Sequence, residues 1–116
     1  MTPTSDLRMP PLRPSVYHIM LSLAGGARHG LGIAEEIERA SEGVLELGPG
    51  TLYRSLSEMV EAGLIRSVPA PSKDADPRRK YYGITPEGRE LLANETARLA
   101  RLVKTAQAQG GLPQNA

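Results

Sequence analysis

Residues 48–65 read GPGTLYRSLSEMVEAGLI. Two glycines bracket a proline, a run with helical spacing follows, and Gly63 closes it ahead of two aliphatic residues. With Leu52 at zero on a wheel of about 100° per residue, Leu56, Met59, Val60 and Gly63 share its side. Arg54, Glu58 and Glu61 lie opposite, and Tyr53 and Ser57 flank the stripe. The spacing predicts an amphipathic helix from about Thr51, with Gly63, which tolerates a left-handed backbone, as its C-terminal cap. A helix start offers unpaired N–H groups and positive partial charge, which favour an anion. Gly48 and Gly50 carry no side chain to hold such a partner away, and Pro49 stiffens the approach. Thr51 is placed either to cap the helix or to donate to the anion. Arg54 lies one turn inside and faces away from the apolar stripe.

Two shorter helices precede this one. Val16, Ile19, Met20 and Leu23 recur at helical spacing after Pro14, and Gly25-Gly26 stops them. His29-Gly30 opens the second helix, with Ile33, Ala34, Ile37 and Ala40 on its apolar side and Gly43 at its end. Val44, Leu45 and Leu47 read as a connector packed under the domain. After Gly63 the period changes. LIRSV at 64–68 and KYYGI at 80–84 are strand-like, and the polar PAPSKDADPRR between them predicts a hairpin with a long tip. Tyr81 and Tyr82 alternate along the second strand, so one of them should pack inward. Thr85, Pro86 and Glu87 begin a last helix as cap, first residue and dipole partner. Leu92, Leu99 and Ala106 repeat every seven residues along it, with Leu91, Leu102 and Val103 beside them, a coiled-coil-like stripe.

Composition narrows the classes. One domain suits 116 residues. Phe and Trp are absent, so the core is built from Leu, Ile, Val, Met and Ala. The absence of cysteine excludes disulfides, thiolate zinc sites and cysteine nucleophiles. No apolar run approaches the ~20 residues a membrane span needs, and the polar, proline-rich beginning resembles no signal peptide. The expected location is the cytoplasm. Net charge is only +1, yet Lys73, Arg78, Arg79 and Lys80 crowd the hairpin tip beside Asp74 and Asp76, while Glu35, Glu36, Glu38, Glu42 and Glu46 crowd one segment. Two isolated histidines, His18 and His29, make no metal site; His29 suits a helix start. Asp74 and Asp76 lack the glycine and glutamate of a calcium loop. No cofactor and no enzymatic chemistry is expected.

Three helices, a β-hairpin and a long helix are the plan of an α+β, mainly α, winged helix-turn-helix. Its third helix enters the major groove of DNA and its basic wing lies along the backbone or the minor groove. The expected organisation is a flexible arm over 1–10, the winged-helix domain over 11–84, a dimerisation helix over 85–108 and a disordered tail over 109–116. The expected DNA contacts are Gly50, Thr51, Tyr53, Arg54, Ser57, Lys73, Arg78, Arg79 and Lys80. Tyr53 could instead only pack at the stripe edge, and Arg54 could pair with Glu58.

The sequence resembles the PadR family of bacterial transcriptional regulators. The motifs run in family order: HG at 29–30 with the helix IAEEI, GTLYRSL at 50–56, EAGLI at 61–65 and RRKYYGITPEGRELL at 78–92. Together they span about Arg13 to Lys104. The single short C-terminal helix resembles the smaller branch of the family. The resemblance implies a homodimeric repressor that binds a near-palindromic operator and releases it on sensing a small molecule. It also implies pairing of the C-terminal helix with helix 1 and the C-terminal helix of the second subunit, through Val16, Met20, Leu92, Leu99, Leu102, Val103 and Ala106. Two reading helices would then lie about 34 Å apart, one turn of DNA. Leu31 stands where the family usually has an aromatic, and the reading helix has one basic residue, Arg54. Without tryptophan, a drug sandwich of the kind some small members build is not carried over. An effector pocket at the dimer seam would be lined by Leu, Ile, Met and Tyr17, suiting an apolar or aromatic compound. The competing reading is a protein-interaction module of winged-helix shape that does not bind DNA.

Overall fold

The computed structural model describes residues 7–111. Its elements are α1 (Pro14–Leu23), β1 (Arg28–His29), α2 (Gly30–Ala40), α3 (Pro49–Glu61), β2 (Ile65–Val68), β3 (Tyr81–Ile84) and α4 (Pro86–Ala108). The four predicted helices and both hairpin strands are present.

Local chemistry sets the boundaries. The His29 ring caps α2 by accepting the Gly32 amide at 3.0 Å. At the end of α3, Gly63 takes φ +78°, and the Leu64 amide donates back to the Met59 carbonyl at 2.9 Å. Thr85 Oγ1 accepts the Gly88 amide at 3.0 Å and donates to the Gly63 carbonyl at 2.6 Å, so one hydroxyl fastens the start of α4 to the end of α3.

The hairpin has a third strand that the sequence reading did not anticipate. The order is β1-β3-β2, all antiparallel, with His29 opposite Tyr81 and Val68 opposite Tyr81 on the other side. Two residues are too few to display a period of two, so β1 carries no sequence signal. It makes β3 central, and both Tyr81 and Tyr82 are buried where one was expected to be. The core lies between α1, α2, α3 and the sheet. Val16, Ile19, Met20, Ile33, Leu56, Met59 and Leu64 are fully buried there.

That core corrects three expectations. Val16, Met20 and Leu92, expected at a subunit seam, are buried inside the single chain. Val44, expected beneath the domain, is 89% exposed, although Leu45 and Leu47 do pack against the core. The expected arm over 1–10 is anchored where it is described. Leu7 is buried, the Arg8 guanidinium donates to the Ala62 carbonyl, and the Leu12 amide donates to Glu95 Oε2 at 3.0 Å. Residues 1–6 of that arm and 112–116 of the expected tail lie outside the described residues.

Candidate nucleic-acid interface

The side chains expected to meet DNA stand on α3 and on the β2–β3 loop, and among them Tyr53 shares a groove with Arg79 and Lys80. Gly50, Thr51, Tyr53, Arg54, Ser57, Lys73, Arg78, Arg79 and Lys80 are all exposed. On α3 this follows from the wheel. Leu52, Ser55, Leu56 and Met59 are turned to the core, which drives residues 50, 51, 53, 54 and 57 outward.

The α3 start is two residues earlier than expected. Gly48 is its N-cap, Pro49 its first residue, and no side chain caps it. Thr51 is therefore not the cap; it is the third helical residue, with its hydroxyl on the surface. Leu52 is the first residue whose amide bonds back, to the Gly48 carbonyl at 2.9 Å. The amides ahead of it are the orphan donors of a helix start, aimed along the axis. A Cβ built on Gly48 or Gly50 meets nothing within 4 Å, and neither residue takes a positive φ. The fold itself therefore does not require glycine at either position. Among the described residues Arg54 has no ion-pair partner; Glu58 instead faces Arg13 at 3.7 Å.

Tyr53 does two things. Its ring crosses the start of α2, where a Cβ on Gly30 would collide with the phenol. Half its surface nevertheless stays in solvent. A groove of about 250 Å³ opens between the two helices and the wing, lined by His29, Gly30, Leu31, Tyr53, Arg79 and Lys80. Tyr82 lies behind it, and burial, with a smaller contribution from the Tyr53 phenol, raises its pKa above the ordinary phenol value. Lys80 Nζ stands 5.7 Å over the Tyr82 ring.

The wing tip is shaped by Asp76-Pro77-Arg78-Arg79. The Arg79 amide bonds the Asp76 carbonyl at 3.2 Å, a turn with proline at its favoured second position. The Asp76 carboxylate accepts the Arg78 amide at 2.9 Å and the Arg78 guanidinium at 3.2 Å, and Arg79 Nε lies 3.8 Å away. The Arg78 side-chain and backbone hydrogen bonds, helped by Arg79, hold the Asp76 carboxyl below its ordinary value. From the sequence, Asp76 reads as a dilution of the basic cluster and an incomplete calcium-loop fragment, and His29 as a helix-start residue. The signal for the first was the Asp-Pro turn signature; the contact of His29 with the wing spans 50 positions and left no local trace.

This geometry defines a winged helix-turn-helix protein: a helix presented by its start, beside a cationic β-wing. The sequence model of the transcriptional regulator PadR-like family matches residues 19–94. The chain belongs to that family, and is accordingly a DNA-binding transcription regulator rather than an enzyme. A PadR family transcription regulator from Clostridium difficile R20291 has a similar structure, at TM-score 0.70 and 25% identity, covering 85% of this chain and 100% of that one. A PadR-like regulator from Bacillus cereus is similar in fold, at TM-score 0.69 and 19% identity over 84% of this chain and 92% of that one. An uncharacterized 37.1 kDa protein of a Streptomyces fradiae transposon is 38% identical over 84 residues, 72% of this chain. The chain matches 22% of that protein's length. Family membership sets aside the reading of a winged-helix module without DNA binding. Among the described residues no helix is long and apolar enough to cross a membrane.

Proposed function

We propose that this chain is a ligand-responsive repressor that binds a near-palindromic operator as a homodimer. In this reading the α3 start enters the major groove, Arg54 reads a base edge, and Thr51, Tyr53 and Ser57 meet the flanking phosphates. Lys73, Arg78, Arg79 and Lys80 follow the backbone. The observation that carries it is the α3 start itself. Two glycines that the fold does not use, no side-chain cap and an ion-pair-free arginine fit a surface kept open for a polyanion.

The far half of α4 supports the dimer. Leu99, Leu102, Val103 and Ala106 fall within about 100° of one another on the helical wheel. Leu102 and Val103 are 54% and 48% exposed. Burying such a side chain fully is worth about 1.5–3 kcal/mol, and a second copy supplies a matching stripe. An effector seat at that seam suits an apolar or aromatic compound, with Tyr17 beside it, its hydroxyl 2.7 Å from Thr96 Oγ1. The cavity between α1 and α2, about 20 Å³, has room for one water and no such compound.

Footprinting on the DNA flanking the chain's own gene, at several salt concentrations, tests the reading. Arg54→Ala should cost about 1–3 kcal/mol and relax preference at one base position, and Arg78→Ala should reduce the slope of log affinity against log salt by about 1. Unchanged binding in both variants would show that the reading surface lies elsewhere.

A further inference from the structure

Four contacts meet on one imidazole. His29 Nδ1 accepts the Gly32 amide at 3.0 Å, which uses its in-plane lone pair. Arg79 Nη1 lies 3.0 Å from Nδ1 and 3.1 Å from Nε2. Cε1 stands between those two nitrogens, so a donor this close to both sits over the face of the ring and not in its plane. The Tyr81 ring meets the imidazole edge-on, with centroids 5.7 Å apart, and the β1–β3 register holds the two opposite each other. Asp76 grips the same arginine from the wing side at 3.8 Å. Arg78, by contrast, projects outward, with 89% of its side chain exposed against 44% for Arg79.

We propose that His29 is a positioning residue whose imidazole latches the wing tip, through the Arg79 guanidinium over its face, to the start of α2. Arg79 then acts as the strap that sets the wing's angle, in place of the backbone contact read for it above, and Arg78 is the outward phosphate-seeking cation. The effect on DNA rests on the function proposed above; the latch itself does not.

Arg79 and Lys80 face the ring from the wing, Asp76 from the wing turn, Tyr81 from β3 and Tyr53 from α3. Arg28 beside it is turned to the Ser22 carbonyl and Glu36.

The test is amide hydrogen exchange over residues 76–81 of the free protein, corrected for intrinsic rates, together with operator affinity. His29→Asn keeps a helix-capping side chain but offers no ring. At about pH 8 it should speed exchange of the wing about tenfold while leaving α1 and α4 protected. In operator binding, Arg79→Ala and His29→Asn should each weaken affinity several-fold at an unchanged salt slope, and the double variant should be no weaker than the worse single one. Equal wing protection in wild type and His29→Asn would overturn the latch. So would additive losses with an Arg79→Ala salt slope reduced as in Arg78→Ala. A protein with the exchange signature but no DNA affinity would keep the latch and sink the function it was argued to serve.

Discussion

The two halves of α4 lie in different surroundings. The first half is built into the domain. Gly88 lies against the Leu64 carbonyl and Ile84, Leu92 joins the core, and Glu95 is buried between Arg98 and the Leu12 amide. The second half has Leu99, Leu102, Val103 and Ala106 on one side and polar residues and alanines elsewhere. Among the described residues, no side-chain hydrogen bond joins residues 97–108 to another element. One continuous helix thus serves two environments, its own core and a face with no occupant in the single chain. The heptad relation from Leu92 to Leu99 to Ala106 runs through both, so periodicity alone does not reveal the change.

Substitutions should expose that division. The largest effect is expected at Gly88→Ala, where the new Cβ would strike the Leu64 carbonyl, a backbone atom with little room to yield. A loss of about 3 kcal/mol or more in denaturant unfolding is expected, since overpacking against backbone exceeds the usual side-chain cost. A change under about 0.5 kcal/mol would mean that the first half is not embedded.

Glu95→Gln comes next, with an expected loss of about 1–3 kcal/mol from weakening charged hydrogen bonds in a buried site. It also carries a pH signature. The Arg98 guanidinium first, and then the Leu12 amide, hold the Glu95 carboxyl at about 2, below its ordinary 4.5. A depressed carboxylate contributes stability that is fully present above the ordinary value and lost as pH falls toward the folded one. Wild type should therefore lose thermal stability between pH 4.5 and about 2, and Glu95→Gln should flatten that part of the profile. An identical acid profile in the variant would remove Glu95 as the anchor of the N-terminal segment.

The smallest effect on the fold is expected at Leu102→Glu, within about 0.5 kcal/mol for the isolated chain, because the residue touches little of its own domain. Sedimentation should instead show the mass falling from two copies to one. A dimer that survives Leu102→Glu would place the seam away from this stripe, and the two halves of α4 would then differ only in exposure.

Helix existence and order were legible because each helix carries a buried stripe at a spacing of three and four residues, and its ends carry glycine, proline or threonine. The wheel of α3 was legible too, with one discrepancy: Val60, drawn on the apolar side, is 41% exposed. What the pattern could not carry was anything decided by partners far along the chain. Val16 and Met20 fit a seam as well as a core by composition; only the packing of α1 among α2, α3 and α4 decides for the core. Strand β1 was hidden by its length, and Leu7 by a proline-rich stretch that reads as loose. In the interface, outward residues on α3 follow from the buried ones, so Arg54 and Ser57 were predictable. The pairing of Asp76 with both arginines, and of Arg79 with His29, depends on how a long loop folds back.

That loop has one more consequence. The strand ladder ends at Val68 and Tyr81, and the tip between them carries turn bonds only at Ser72–Ala75 and Asp76–Arg79. Nothing in the core specifies how many residues precede the Asp76 turn. Insertions and deletions there meet little resistance from the rest of the domain. Lineages sharing this scaffold are thus free to retune the wing's reach, and the strength of their grip on DNA, by loop length while the core sequence stays as it is.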